Sequence, residues 1–575
     1  MSDTLSQPTN QAGLGAGALE TLPYGDNKAA GWELSHLETT ATKLEATNDN
    51  DLVAGGHSEL VSSWEDIPYR TTLKIFWRGV LVCFLAAFSS FTDGYQIAII
   101  GNIIGNQGFI NTMSTAVSPI TGAKVLAPNI LSAWTAVGSV SQWLGMNIFP
   151  FVADRFGRKI CMIGYWVIIT IGVACETASK DYKLWTASKV FSGLGVGAMQ
   201  FSLQMYITEL SPTSKIRGSM LSCFNFWWTI GLFVGTVAIT IEHNRDPLNW
   251  KTIILTQWSQ VGIMGIIYVF LLPESPWWYA KKGMHEKGKK VLQRLYGKVT
   301  GYDAEVEYGI IRRTVEAEEE FAATIKEIPW RAIFTGVNGW RTLVSSYELT
   351  AGTFIGQTFL STYTIYFFEI AGSTNGFSNT CITSGLGIVS CVVLVLGLDS
   401  IGRRRIVCYC FSTQWICLFL IGCIGLVKNR SSGLNKFLIF LACLWSFCFY
   451  MAGGAGWSLV GEVSTARLRA RTAGFAAGFA VLIGIPLGYG TPYMISETSL
   501  NWGLKTCFFY AGLAFLPVVG AWFVIPETAH RSAAELDEMF EGKVKPWRFR
   551  KYETEVQKAK APSGDAATVF PVQVA

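Results

Sequence analysis

Twelve long apolar stretches alternate with polar segments between residues 76 and 525. An α-helix needs about 20 predominantly apolar residues to cross about 30 Å of hydrocarbon, and each stretch meets that length. Numbered from the N-terminus, the predicted spans are 76–104, 129–152, 160–178, 183–207, 219–241, 251–272, 341–367, 377–398, 405–427, 434–460, 471–494 and 504–525. The pattern therefore predicts an all-α membrane protein with twelve transmembrane helices.

The polar segments divide the chain into five predicted regions. They are a disordered N-terminal tail at 1–75, a six-helix bundle at 76–279, a helical segment at 280–339, a second six-helix bundle at 340–527 and a C-terminal tail at 528–575. Lysines and arginines cluster in the central segment and in the loops on its side of the membrane, and the positive-inside rule places that side in the cytosol.

The N-terminal tail has no apolar stretch, so no cleavable signal peptide is predicted. We expect a multi-pass protein of the plasma membrane with both termini in the cytosol. Asn429 begins an Asn-Arg-Ser sequon on the predicted outer side and is a candidate glycosylation site.

Composition narrows the class of function. Only 15% of the residues are charged, against about 25% in soluble domains. The net charge of +5 is spread over short loops, without the basic and aromatic stripe of a nucleic-acid-binding surface. The 13 cysteines lie almost wholly in apolar stretches and have no metal-binding spacing. Since the chain also lacks phosphate-binding, zinc and nucleophile motifs, we predict no enzyme, no cofactor, no metal site and no nucleic-acid partner.

The two halves of the chain carry the same short motifs in the same order. The sequence Asp-Arg-Phe-Gly-Arg at 154–158 returns as Asp-Ser-Ile-Gly-Arg at 399–403, and Pro-Glu-Ser at 273–275 returns as Pro-Glu-Thr at 526–528. Glu209 after span four likewise matches Glu462 after span ten. Duplicated six-helix halves imply a transporter-type fold, with a solute site near mid-membrane between the halves.

The repeated motifs also have a shared chemistry. Glycine permits a tight turn, and arginine binds a carboxylate through two parallel hydrogen bonds. We predict a ring of cytosolic ion pairs that holds one conformational state closed and breaks in the other. The plain alternative is that the basic residues only anchor the topology. The predicted latch residues are Asp154, Arg155, Gly157, Arg158, Glu209, Arg217, Asp399, Gly402, Arg403, Glu462 and Arg469.

Taken together, the motifs resemble those of a known family. The chain reads Asp-Arg-Phe-Gly-Arg-Lys at 154–159, Pro-Glu-Ser-Pro-Trp-Trp at 273–278, Gly-Gly-Ala-Gly-Trp at 453–457 and Pro-Glu-Thr-Ala-His-Arg at 526–531. From span one to Phe540 it resembles the sugar porter family of the major facilitator superfamily, and within that family the fungal maltose and α-glucoside permeases. The resemblance implies a mono- or disaccharide ligand, a lipid bilayer and transport by alternating access.

The resemblance also implies a set of sugar-binding side chains. Amides, hydroxyls and indoles suit a sugar because each sugar hydroxyl both donates and accepts hydrogen bonds. Thr353 stands where the family usually has glutamine, and Gln357 lies four residues further on, which keeps it on the same face of a continuous helix. Plain alternatives are helix packing for Trp457 and hydrogen bonding between helices for Gln357. The candidates are Asn225, Gln357, Tyr363, Gly453 and Trp457.

Proton coupling needs a carboxyl that changes its protonation state within the membrane, where a charge costs about 2.5–3.5 kcal/mol. The candidates are Asp93, Lys189 and Glu348. Asp93 in span one is expected to pair with Lys189 in span four, because both fall in the outer half of the membrane. Glu348 in span seven is expected to extend its side chain to the inner surface, with the alternative that it replaces a missing carboxyl.

Two departures from the family leave the function open. Gln96 and Gln142 stand where proton-coupled relatives carry acids. One hypothesis is a carbohydrate transporter for a disaccharide or α-glucoside, by proton symport or by facilitation. The other is a transporter-like sugar sensor that signals to cytosolic partners through its tails with little or no transport.

Overall fold

The computed structural model describes residues 64, 67, 69–118, 122–324, 330–371, 376–427, 430–465, 468–496, 498–529, 531 and 533–554. All twelve predicted spans are helical. Ten of them are Pro128–Phe156, Arg158–Ala178, Tyr182–Leu210, Ser214–Arg245, Lys251–Ile266 with a π turn at Ile267–Leu271, Gly376–Ile401, Arg403–Gly425, Ser432–Val463, Arg469–Ile495 and Thr506–Val524 after a 3-10 turn at Gly503–Lys505. The other two, spans one and seven, are interrupted.

Span one consists of Trp77–Ala86 and Ser89–Ile103. Span seven consists of Gly336–Phe354, a π turn at Thr358–Thr362 and Thr364–Ile370. In span seven the break falls at Gly356, whose φ of +80° is accessible to glycine at little cost. The sequence predicted continuous helices here. Discontinuous membrane helices commonly border binding sites, because their freed backbone groups need polar surroundings.

Nine of the spans are apolar enough, by length and composition of the described residues, to be recognised as membrane helices. Spans two, four and seven are not among those nine. Each of these three carries polar or charged side chains inside the molecule, such as Gln142, Lys189 and Glu348. Polar side chains of this kind lower the mean hydropathy of a span, and in span seven the break also shortens each helical piece.

Two large clusters of buried apolar side chains hold the bundle together. One packs spans one to six of the N-terminal half with the helices that follow them, and it includes Tyr206 and Tyr296. The other crosses between the halves, because it joins Ile99 and Trp134 to Phe359 and other residues of the C-terminal half.

Short helices occupy the segment between spans six and seven, as the sequence predicted. They are Pro276–Lys281, His285–Tyr296, Ala304–Thr324 and a 3-10 turn at Trp330–Phe334. The second of them buries Leu292, Leu295 and Tyr296 and exposes its lysines at 287 and 290. Its amphipathic pattern therefore places one face against the N-terminal half.

The regions outside the spans contain further ordered elements. Tyr69–Ile75 is a helix, so the prediction of a disordered tail is wrong for these seven residues. The loop after span one contains the helix Gln107–Met113 and an antiparallel pair of two-residue strands, in which Ala116 faces Val125. After span twelve lie the helix Ala533–Glu541 and a 3-10 turn at Pro546–Lys551. Asn429 and residues 1–63 lie outside the described residues.

Candidate functional site

A cavity of about 450 Å³ lies between the two halves, near the middle of the spans. Spans one, two, four and five line it from the N-terminal half, and spans seven, nine, ten and eleven line it from the C-terminal half. Its volume falls within the range of ligand pockets in proteins. Its aromatic walls come from Trp134, Phe224, Trp228, Phe411, Phe449, Tyr450 and Trp457.

Four of the five predicted sugar-binding residues line this cavity, namely Asn225, Gln357, Gly453 and Trp457. Asn225 also donates through Nδ2 to Cys391 Sγ across the interface between the halves, at 3.4 Å. Tyr363 is not a wall residue. It is buried, and its hydroxyl lies 3.0 Å from Thr135 Oγ1. The structure therefore places Tyr363 in the contact between the halves.

Gln357 reaches the cavity for a reason that differs from the predicted one. The prediction assumed a continuous helix from Thr353 to Gln357, and the helix ends at Phe354. The break at Gly356 re-orients the chain, and both Thr353 and Gln357 line the cavity. Helical spacing alone cannot relate two positions on opposite sides of such a break.

Asp93 lies in the cavity wall and is only 4% exposed. Gln200 Nε2 lies 3.5 Å from Asp93 Oδ2, and Gln142 donates to Gln200 Oε1 at 3.0 Å. A chain of amides thus connects the carboxyl to span two. Sequence reasoning missed Gln200, although a glutamine within an apolar stretch is itself a signal of a polar interior.

The predicted ion pair between Asp93 and Lys189 is wrong. Lys189 Nζ binds Glu176 Oε1 at 2.6 Å, and both side chains are at most 4% exposed. Gln257 donates to the other carboxylate oxygen at 2.8 Å, and the lysine nitrogen lies 4.3 Å from the ring centre of Trp185. Glu176 ends span three and Lys189 begins span four, so the short turn between these antiparallel helices brings the two charges together. Lys189 nevertheless also borders the cavity.

Glu348 does not extend to the surface, and that expectation is wrong. Its side chain is 2% exposed and lies in the cavity wall. The carboxyl packs against Gly456 of span ten, where an added Cβ would overlap it. Gln414 of span nine, which sequence reasoning missed, lines the same cavity.

Where span two ends and span three begins, the first repeated motif, at 154–158, forms a compact ion-pair cluster. Arg158 is fully buried, and its Nη2 donates to Glu209 Oε1 at 2.7 Å. Its Nη1 also lies 3.2 Å from Asp154 Oδ1. Glu274 accepts the backbone N–H groups of Arg158 and Lys159 and so caps the helix of span three. Burial raises the pKa of Glu274, and those backbone hydrogen bonds oppose the shift.

The second motif repeats the arrangement in the C-terminal half. Arg403 Nη2 donates to Glu462 Oε1 at 3.0 Å, and Glu527 accepts the backbone N–H of Arg403 at 2.9 Å. Gly157 and Gly402 have φ values of +109° and +96°, and each lies against the capping carboxylate. Sequence reasoning noted the repeat of Glu274 as Glu527 but assigned these residues no role.

Neither of these two ion pairs connects the halves, since both partners belong to the same half. Arg155 is exposed and stacks on Phe156, and Arg217 is partly buried at the start of span five. Asp399 and Arg469 belong to helices, and their side chains lie outside the described part of the structure. The geometry fixes helix ends within each half, and the predicted latch role stays a prediction.

We call the side of the molecule that carries Gly157 and Gly402 the latch face. Spans five and eight contact each other nearer the latch face, through Asn225 and Cys391, and other contacts between the halves lie toward the opposite face. Ser132 donates to the Tyr489 carbonyl at 2.6 Å, and Thr135 contacts Tyr363. Gly101 packs directly on the backbone of Thr362, where a side chain would not fit. The halves are therefore closed together on that side of the cavity.

Comparison with known proteins agrees with this geometry. The family model described as "Sugar (and other) transporter" matches residues 82–540. The chain is 28% identical to the MFS transporter fmqE of Aspergillus fumigatus, over 90% of this chain and 96% of that protein. It is 26% identical to the general alpha-glucoside permease of Saccharomyces cerevisiae, over 91% of this chain and 86% of that protein.

Solved structures of the xylose transporter XylE from E. coli have the same fold. The structure of this proton:xylose symporter bound to 6-bromo-6-deoxy-D-glucose has a TM-score of 0.63 at 17% identity. The matched region covers 82% of this chain and 100% of the XylE chain. The twelve helices and their two six-helix repeats are those of the major facilitator fold. On the family match and this fold, the chain belongs to the sugar transporter family of the major facilitator superfamily, whose members are membrane transporters and not enzymes.

Proposed function

We propose that the protein carries a sugar of the disaccharide or α-glucoside class across the plasma membrane by alternating access. The observation that carries the proposal is the cavity between the halves, which combines aromatic walls with the side chains of Asn225, Gln357 and Trp457. Amides satisfy the donors and acceptors of sugar hydroxyls, and indole rings pack on the C–H faces of sugar rings. The name of the related general alpha-glucoside permease supports this substrate class.

The transport cycle follows from where the halves meet. In this structure they contact each other on the side opposite the latch face, through pairs such as Ser132 and Tyr489. Transport requires these contacts to separate while the halves close at the latch face. We place the latch face, both termini and the helices between spans six and seven in the cytosol, in keeping with the basic residues of those segments.

Within this proposal Asp93 is the carboxyl that binds the transported proton. It lies in the cavity wall, and within the described residues it forms no ion pair. Lys189 is not its partner, because Glu176 compensates the lysine charge. Glu348 is a second candidate from the C-terminal half, since it too is a buried carboxyl at the cavity.

The test is uptake of radiolabelled glucose, maltose, cellobiose and lactose by a host that lacks its own sugar transporters. We expect uptake of a disaccharide that a proton uncoupler reduces. Asp93→Asn is expected to abolish the sugar-induced alkalinisation of the medium and to keep part of the sugar exchange. Unchanged alkalinisation in this variant would exclude Asp93 from coupling, and uptake at background for every sugar would exclude the transport proposal.

A sugar sensor is the second candidate function, and one observation favours it. Gln200 beside Asp93, Gln142 beside Gln200 and Gln96 in the same cavity wall carry amides, which do not ionise in the physiological pH range. A sensor would bind sugar in the same cavity and signal through its cytosolic tails, with uptake at background although the protein reaches the plasma membrane. A variant that blocks uptake and keeps the cellular response to sugar would favour this reading.

A further inference from the structure

Two polar side chains of the C-terminal half share an unusual position in the cavity wall. Glu348 of span seven is 2% exposed, and Gln414 of span nine is 1% exposed. Both line the central cavity. Glu348 Oε2 and Gln414 Nε2 are enclosed in that wall and have no hydrogen-bond partner among the described residues, so a ligand in the cavity reaches them only when the wall shifts. A buried polar atom without a partner costs about 1–3 kcal/mol, so this pair of atoms is costly unless a ligand binds them.

The Glu348 carboxyl is packed closely against span ten within the cavity wall. Gly456 of span ten lies directly against Glu348, and even a methyl group at this position would overlap the carboxyl. Phe411, one helical turn before Gln414, contributes an apolar surface to the same wall. The wall therefore combines an acceptor from span seven with a donor and an apolar surface from span nine.

The two unpartnered atoms, Glu348 Oε2 and Gln414 Nε2, favour one kind of ligand group over others. The carboxylate oxygen accepts hydrogen bonds, and the amide nitrogen donates them. A hydroxyl group satisfies both, because it donates to one and accepts from the other. An ammonium group has three donors and no acceptor, so it would leave the Gln414 amide without a partner. An apolar group would satisfy neither atom.

We propose that Glu348 and Gln414 form a hydroxyl-binding subsite that holds one ring of the sugar in the C-terminal half. The proposal rests on the proposed function and deepens it, since it assigns a specificity site for the substrate. Glu348 accepts a hydrogen bond from a ring hydroxyl, and Gln414 donates one to a hydroxyl of the same ring. Asn225 binds from the N-terminal half, so a two-ring sugar spans the interface that opens and closes.

The experiment measures sugar binding by the purified full-length protein in detergent, with the sugar that the wild type binds most tightly among glucose, maltose, cellobiose and lactose. Glu348→Leu and Gln414→Leu are each expected to weaken binding about tenfold or more, the effect of losing a hydrogen bond that involves a charged or buried group. Glu348→Gln keeps an acceptor oxygen and is expected to stay within about threefold of the wild type. Gln260→Leu, a buried glutamine of span six that does not line the cavity, is the matched control and is expected to bind like the wild type.

Monodeoxy derivatives of the same sugar identify the contact itself. The wild type should bind one derivative about tenfold more weakly than the parent sugar, whereas Glu348→Leu should bind both alike. Gel filtration and thermal melting confirm that each variant is folded. These readouts separate a binding role from a merely structural one, because a structural defect would weaken binding of every derivative equally.

The outcomes distinguish this proposal from the one on which it rests. If the wild type binds a sugar and both leucine variants bind it as tightly, the subsite is refuted and the transport proposal stands. If the wild type binds every monodeoxy derivative as tightly as the parent sugar, no hydroxyl contacts this subsite and the hydroxyl assignment is wrong. If the wild type binds no sugar, the proposed function fails and the subsite fails with it.

Discussion

Replacing Lys189 with methionine is expected to lower the free energy of unfolding by about 3 kcal/mol. The lysine and Glu176 are 2.6 Å apart and almost fully buried. At an effective dielectric constant of about 20 their attraction is about 6 kcal/mol, and most of it offsets the cost of removing both charges from water. Removing one partner leaves the other charge uncompensated, which typically costs about 3–5 kcal/mol. The hydrogen bond from Gln257 to Glu176 persists and places the expectation at the lower end.

The measurement is chemical denaturation of the purified protein in detergent micelles, followed by tryptophan fluorescence. Lys289→Met is a matched control, because Lys289 binds Glu305 at the same 2.6 Å on the exposed segment between the halves. Exposed pairs contribute about 0–1 kcal/mol, so this variant should be nearly as stable as the wild type.

A double-mutant cycle completes the test. Glu176→Gln should destabilise the protein on its own, because it leaves the lysine charge buried beside Trp185. Combining it with Lys189→Met removes both charges and should recover much of the lost stability. The reasoning is refuted if Lys189→Met is as stable as the wild type, or if the double variant is less stable than both single variants.

Three further predictions concern the motif turns and the cavity. Gly157→Ala should lower the free energy of unfolding by more than about 1 kcal/mol, measured by thermal melting, because φ is +109° and the new Cβ would meet the Glu274 carboxylate. Gly218→Ala is the control and should leave the stability nearly unchanged, because a Cβ at that site meets open space. Arg158→Lys should reduce the melting temperature more than Arg403→Lys, since the first arginine is fully buried and the second is 11% exposed, and equal shifts would contradict this. Trp457→Ala should raise the KM for sugar uptake about tenfold with normal surface expression, and an unchanged KM would assign the indole to packing.

Much of the architecture could be predicted from the chain because the bilayer restricts the choices. A segment that crosses hydrocarbon must satisfy its backbone hydrogen bonds internally, so length and hydropathy almost fix a helix. The twelve spans, the duplicated halves and the family are confirmed. The repeated motifs also indicated ion pairs between arginines and glutamates. Arg158 binds Glu209, and Arg403 binds Glu462 at the matching place of the second half.

The polar interior was harder to predict, because it depends on which helix faces meet. Asp93 and Lys189 lie at the similar membrane depths expected for an ion pair. Depth does not determine the direction in which a side chain points around its helix axis, and Lys189 pairs with Glu176 instead. Glu348 has no sequence feature that separates a surface position from a cavity wall. Gln357 could not be placed from spacing, since the break at Gly356 changes the direction of the chain.

The sequence by itself determined where the chain crosses the membrane and how its halves repeat, because those properties depend on local hydropathy and on short motifs. Only the tertiary structure decided which buried charges compensate one another and which polar atoms face the cavity. The energetic cost of a charge or an amide in low-dielectric surroundings depends on its hydrogen-bond and ion-pair partners, and many of those partners come from other helices. For this protein that distinction separates Lys189, which is paired, from Glu348 and Gln414, which line the cavity and each keep one enclosed polar atom without a partner among the described residues.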